Sequence, residues 1–147
     1  MRIISGTLKG RRITAPKKLP VRPTTDRSKE ALFNILTNWV TFNEIRVLDL
    51  FSGTGNISYE FVSRGVEDVV SVDQNKFCAR FIEQTSAELN LNIDVICKNA
   101  FDFLKRPQQS FDIIFADPPY DMPHSDFEML VNLAFEGNWV NKNGQVI

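Results

Sequence analysis

The chain has 147 residues, 43% of them apolar and 24% charged, with a net charge of −1. That size suits one domain with a real core, and the composition is that of a globular protein. The sequence has no apolar run of membrane-span length and no signal-peptide core, and its two isolated thiols point to a reducing cytoplasm. Two isolated cysteines, Cys78 and Cys97, argue against a disulfide framework, and a single histidine, His124, argues against a His-based triad or a zinc centre; no metal is expected.

Charge is unevenly spread. Residues 1–29 hold nine of the 17 Lys/Arg, Lys29 included, and one of the 18 acids, Asp26. A basic arm on an acidic body predicts a polyanion docked at one end, with Arg2, Arg11 and Arg12 in contact; a solubilising terminus is the plainer alternative. Gly6 and Gly10 punctuate β-prone pieces around Ile3-Ile4 and Ile13-Thr14, predicting a small basic hairpin. Pro16, Pro20 and Pro23 predict an extended connector, so residues 1–23 read as an arm and 24–147 as the body of one domain.

A helix is predicted from about Asp26, with Thr24, Thr25 and Asp26 as candidate N-caps. Leu32, Ile35, Leu36 and Trp39 form its expected core stripe. Arg22, Thr24 and Arg27 cluster at its positive end, which favours an anion. Strands follow at 46–51, 68–73, 94–98 and 111–116, and a fifth opens at 144–147. Between them lie helices at about 57–64, 76–90, a short one with Phe101 and Leu104, and 125–135. This alternation predicts an α/β, Rossmann-like parallel sheet with helices on both faces.

In such sheets ligands lie off the carboxyl ends of the strands. Gly53–Gly55, Asp73, Asn99 and Asp117 all fall at predicted strand ends and so should line one crevice. The turn Asp49-Leu-Phe-Ser-Gly53-Thr-Gly55 lets a ligand approach the backbone, and Asp73 is placed to bind ribose hydroxyls. The third position of the dinucleotide fingerprint is Ser58, not glycine. A nucleoside ligand follows, either NAD(P) or S-adenosylmethionine. Asp117-Pro118-Pro119-Tyr120 closes a buried strand with a carboxylate, a free carbonyl and an aromatic ring on a stiff corner. That set suits an exocyclic amino group on a flat base; an ordinary strand exit is the alternative.

These stretches resemble a known family. Asp-Leu-Phe-Ser-Gly-Thr-Gly (49–55) is similar to the cofactor turn of class I methyltransferases, and Asp-Pro-Pro-Tyr (117–120) to their amino-methylating signature. With Arg-Pro-Thr-Thr-Asp-Arg-Ser-Lys-Glu-Ala-Leu-Phe-Asn-Ile-Leu (22–36), the chain resembles the RsmD-type 16S rRNA guanine-N2 methyltransferases, from Arg2 to Ile147. The resemblance implies S-adenosylmethionine bound by Asp49, Phe51, Gly53, Thr54, Gly55, Asp73, Gln74, Asn99 and Ala100. It implies that Asp117, Pro118, Pro119 and Tyr120 hold the target base, with Arg22, Thr24 and Arg27 at the mouth. The implied partner is 16S rRNA in the small ribosomal subunit or an assembly intermediate, met by a monomer. Family members continue past the fifth strand into a further pair, and the sheet of this chain is expected to lack it. Adenine-N6 or cytosine-N4 methylation, a non-catalytic RNA-binding assembly factor and an NAD-dependent oxidoreductase are the competing readings.

Overall fold

The computed structural model describes residues 1–22, 24–106 and 109–147; Pro23, third proline of the expected connector, lies outside them. Five strands, β1 (Arg46–Leu50), β2 (Asp68–Asp73), β3 (Ile93–Cys97), β4 (Phe111–Ala116) and β5 (Val140–Val146), form one sheet in the order β3-β2-β1-β4-β5. Every pairing is parallel. Helix α1 (Asp26–Thr37) precedes the sheet, and α2 (Asn56–Ser63), α3 (Lys76–Leu89), α4 (Ala100–Leu104) and α5 (His124–Glu136) connect its strands. The chain winds from β1 through β2 to β3, then crosses back to β4 on the other side of β1, so the topological switch point lies between β1 and β4.

The alternation of a strand assigns its side chains to two layers. Leu48, Leu50, Val70, Val72 and Ile114 face a core closed by Leu104 of α4, Leu130 and Ala134 of α5, and Trp139. Trp139 is fully buried and donates its indole N–H to the Leu104 carbonyl at 2.8 Å, which removes the cost of burying that donor. Val47, Val69 and Ile113 face the opposite core with Phe33 and Leu36 of α1 and Ile57 and Phe61 of α2. Asp49 and Ser71 belong to that second layer by the same alternation.

The face of α1 differs from the expected one. Phe33 and Leu36 are buried, but so is Lys29, whereas Ile35 and Trp39 are 52% and 63% exposed. Leu32 packs against the same core as Leu36, Trp39 lies beyond the helix end, and Lys29 is buried where an acid of α2, Glu60, pairs with its Nζ at 3.0 Å. Lys29 is therefore not part of the cationic surface counted from the sequence. Of the expected caps, Thr25 is the one used: its Oγ1 accepts from Ser28 N–H at 3.1 Å.

The N-terminal segment forms the expected small basic hairpin: Met1 N donates to the Ile13 carbonyl and Ile13 N–H to that of Met1, both at 3.0 Å, and Ile3 N–H to that of Arg11 at 2.9 Å. One antiparallel bridge joins Arg2 and Arg12, and Ile3 and Ile13 are buried against Tyr59 and Ile82. Residues 16–21 turn instead of running extended, with Leu19 N–H bonded to the Pro16 carbonyl and Val21 N–H to that of Leu19. Strand β5 begins at Val140, four residues before its expected opening, and a register shift between Phe111 and Ile113 of β4 accommodates its start. Among the described residues no helix is long and apolar enough to cross a membrane.

Candidate functional site: a cleft at the carboxyl end of the sheet

Register places the site. Leu50 pairs with Val72 on one side and Ala116 on the other. The chain therefore leaves the sheet at Phe51, Asp73 and Asp117 on one level, side by side at the switch point. Above them opens a cleft of about 820 Å³, ample for a nucleoside ligand. Asp49, Phe51, Gly53, Thr54, Asp73, Gln74 and Ala100 line one part of it. Asp117, Pro118, Pro119 and Tyr120 line another, and Arg22 and Thr24 a third. Stretches that are distant in sequence thus meet in one place.

The turn after β1 is held by its own backbone. Phe51 adopts a left-handed conformation (φ 58°), which is uncommon for an aromatic residue. Ser52 N–H then bonds to the Val72 carbonyl at 3.0 Å, and Gly55 N–H returns to the Ser52 carbonyl at 2.8 Å. Asp73 fixes the rim. Its Oδ2 accepts from Gly53 N–H and its Oδ1 from Asn75 N–H, both at 2.8 Å. Each carboxylate oxygen keeps a lone pair for a further donor.

The two glycines do different work. A Cβ on Gly53 would meet only the Val21 side chain, at 3.3 Å. A Cβ on Gly55 would lie 2.8 Å from Tyr59 Cζ and 3.0 Å from Ile82 Cγ1. Gly55 does not line the cleft; it lets α2 start against Tyr59 with φ 83°. Asn99 also stands behind the lining. It caps α4 and donates its Nδ2 to Gln74 Oε1 at 3.1 Å, orienting a residue that does face the cleft.

Arg2, Arg11, Arg12 and Arg27 are exposed and lie outside the lining. Arg2 forms a loose pair with Asp26 at 3.6 Å. Tyr120 is 96% exposed, so its ring presents a free face at the cleft mouth. Sequence reasoning missed several lining residues: Thr25, Ser28, Asn56, Cys78 and Lys98. Thr25, Ser28 and Asn56 carried a signal, since all three are helix-start polar residues beside motifs already singled out. Cys78 and Lys98 carried none.

Electrostatics favour a cation over an anion in the deep part. Asp49 is buried, and burial first, then the charges of Asp73 and Asp117, push its carboxyl up to about 7; the Ser58 hydrogen bonds oppose this. Three carboxylates around one cleft fit a ligand with an ammonium and a sulfonium centre. They suit a pyrophosphate poorly, although Arg22 and Lys98 stand at the edges. Cys78 is held protonated at neutral pH, its thiol pushed up to about 11 by burial and by Asp73, so it offers no thiolate nucleophile. The open side of Gly53, the free lone pairs of Asp73 and this acidic lining all fit S-adenosylmethionine.

Comparison with known proteins gives the same answer. Residues 1–147 match the family model described as conserved hypothetical protein 95. Ribosomal RNA small subunit methyltransferase D of Haemophilus influenzae is 33% identical over 151 residues, covering 99% of this chain and 76% of that protein. The Escherichia coli protein of the same name is 30% identical over 141 residues, covering 95% of this chain and 69% of that one. A solved structure of a candidate methyltransferase from Escherichia coli superposes with a TM-score of 0.87 at 28% identity, over 99% of this chain and 78% of the other. A hypothetical protein from Thermus thermophilus does so at 0.84 and 26%, over 99% and 83%. The chain belongs to the RsmD-type family of class I, S-adenosylmethionine-dependent methyltransferases.

Proposed function

We propose that this protein methylates the exocyclic N2 amino group of a guanine in 16S rRNA, in the small ribosomal subunit or an intermediate of its assembly. The observation that carries the reading is the shared cleft: the Asp117–Tyr120 corner opens into the same space as Gly53, Thr54 and Asp73. The names of the similar Haemophilus influenzae and Escherichia coli proteins support a ribosomal RNA substrate.

Bound S-adenosylmethionine supplies a methyl group already activated on a sulfonium. No residue then has to act as a covalent nucleophile, and the protein's task is placement. Gly53 and Thr54 form the wall for the methionine end, Asp73 accepts from the ribose hydroxyls, and Gln74 and Ala100 border the adenine. Asp117 and the Pro118 carbonyl accept the two amino hydrogens of the target base. This turns the nitrogen lone pair out of conjugation with the ring and stabilises the positive charge that builds on it. Asp117 is exposed to solvent, so the proton released on methylation passes from the nitrogen through its hydrogen bond to water. Tyr120 stacks on a base unstacked from the RNA. The arm over residues 1–23 supplies phosphate contacts through Arg11 and Arg12, with Arg22 and Thr24 at the mouth. The protein works as a cytoplasmic monomer.

The test is transfer of labelled methyl groups from S-adenosylmethionine by the purified protein onto small-subunit RNA, followed by mass spectrometry of the nucleosides. N2-methylguanosine is expected. N6-methyladenosine, N4-methylcytidine or no product overturns the reading.

A further inference from the structure

The residue that ties the two lips of the cleft together lies beneath both and touches neither ligand. Lys29, in the second turn of α1, is fully buried. Its Nζ donates to the Arg2 carbonyl at 2.6 Å and to Asn56 Oδ1 at 2.8 Å, and pairs with Glu60 at 3.0 Å. Asn56 is the first residue of α2, directly after the cofactor turn. Its Nδ2 donates in turn to the Thr24 carbonyl at 3.2 Å. Thr24, Thr25 and Ser28 line the cleft from one side, and Gly53, Thr54 and Asn56 from the other. One ammonium and one amide thus join the arm, the start of α1 and the start of α2.

Mere stability explains this cluster incompletely. Glu60 already holds four partners: Ile4 N–H at 3.0 Å, Ser5 N–H at 3.1 Å, Arg64 Nε at 2.9 Å, and Lys29. Three of them would remain if the ammonium were absent. A long apolar side chain could fill the same slot at lower desolvation cost. What an apolar chain could not do is hold Asn56 Oδ1 and the Arg2 carbonyl at once. A charge-assisted hydrogen bond to each is directional, and direction is what a positioning device requires.

We propose that Lys29 is a positioning residue, which through Asn56 holds the RNA-facing lip, Thr24–Ser28 and the base of the arm, in register with the cofactor turn. This rests on the reading of cofactor and RNA given above. Displacing one lip by about 1 Å relative to the other misplaces the amino nitrogen and slows transfer roughly 10- to 100-fold, although every group that touches cofactor or RNA is still present.

The test uses the full chain with Lys29→Met. S-adenosylhomocysteine affinity is measured by calorimetry, methyl transfer to small-subunit RNA by kcat and KM, and backbone exchange by mass spectrometry. The expected result is S-adenosylhomocysteine affinity within about threefold of wild type, kcat/KM for RNA down about 10- to 100-fold, and faster exchange confined to residues 1–13 and 24–29. Transfer within about twofold of wild type overturns the proposal. So does loss of S-adenosylhomocysteine binding with faster exchange throughout, which would make Lys29 a prop of the fold alone. Should Lys29→Met fail to fold, Asn56→Asp carries the same test: it keeps the acceptor for Lys29 and removes the donor to Thr24. Normal transfer in that variant then overturns the proposal. A wild-type protein that gives no binding heat with S-adenosylhomocysteine overturns the cofactor reading, and this inference with it.

Discussion

Ser58 Oγ donates to Asp49 Oδ2 at 2.6 Å, and Ser71 Oγ lies 2.5 Å from the same hydroxyl. All three side chains are buried beneath the first turn of α2. This accounts for serine at the third position of the glycine fingerprint: a glycine at 58 would keep the backbone N–H but take away the side-chain donor of a buried carboxyl.

The Asp49 carboxyl is raised from an ordinary 3.8 to about 7, chiefly by burial. In the unfolded chain it ionises near 3.8, so between about pH 4 and 7 the folded state holds a proton that the unfolded state has lost. Its contribution to stability is complete below about pH 4 and is lost as pH rises through about 7. Asp49→Asn keeps an oxygen for Ser58 and removes the titration. The variant is expected to match wild type in melting temperature at or below about pH 4 and to exceed it at about pH 8. A cationic cofactor favours the ionised carboxyl, so wild-type affinity should weaken as pH falls from about 7.5 to about 5.5, with proton release on binding. Calorimetry in two buffers of different ionisation enthalpy reads that proton directly.

Asp117→Ala removes an exposed side chain at the cleft wall and leaves the Gly53–Asp73 bond untouched. Methyl transfer should fall by about 100-fold or more, a typical cost of losing one oriented group at a developing charge. S-adenosylhomocysteine affinity should stay within a few-fold. Near-normal turnover would remove Asp117 from the reaction.

The strand ends were legible because two signals coincided there: an apolar run stops and an acid or a glycine turn follows, as at Phe51-Ser52-Gly53, Val72-Asp73 and Ala116-Asp117. The buried face of α1 was not. Lys29 sits in a segment full of solvated cations, and partners distant in the chain, Glu60 and Asn56 of α2 and the Arg2 carbonyl, make its burial tolerable. Glu60 itself stands between Tyr59 and Phe61, and local pattern gave no hint that a carboxylate would be fully buried there. The left-handed Phe51 was likewise hidden, since its conformation is imposed by the Ser52–Val72 bond across the sheet. Pairings made over long sequence separations override local propensity at each of these places.

The two glycines of the turn separate packing from ligand access. Gly55→Ala forces a side chain to a left-handed backbone and into Tyr59 and Ile82. The two costs together come to about 2 to 4 kcal/mol, and a melting temperature lower by roughly 3 °C per kcal/mol. Gly53→Ala bears the conformational cost of about 1 kcal/mol but meets only the movable Val21 side chain. It should melt closer to wild type and still lose cofactor affinity. Equal melting temperatures for the two variants would contradict this division.

The exposed arginines of the arm make a prediction that stability cannot imitate. Arg11 and Arg12 lie at the bridge to Arg2, where the loop is held by Ile3 and Ile13 beneath it, so their heads are free while their backbone is fixed. Each phosphate they neutralise releases counterions, and binding then weakens linearly in log affinity against log salt. Replacing both with glutamate leaves the buried isoleucines in place, so the fold and S-adenosylhomocysteine binding should be unchanged. RNA affinity should drop, and the salt slope should flatten by about 1 to 2, roughly one for each phosphate no longer neutralised. Filter binding of small-subunit RNA from about 50 to about 300 mM potassium chloride measures both. A fall in affinity with an unchanged slope would mean that the substitutions act through the shape of the arm and that the phosphates are met elsewhere on the molecule.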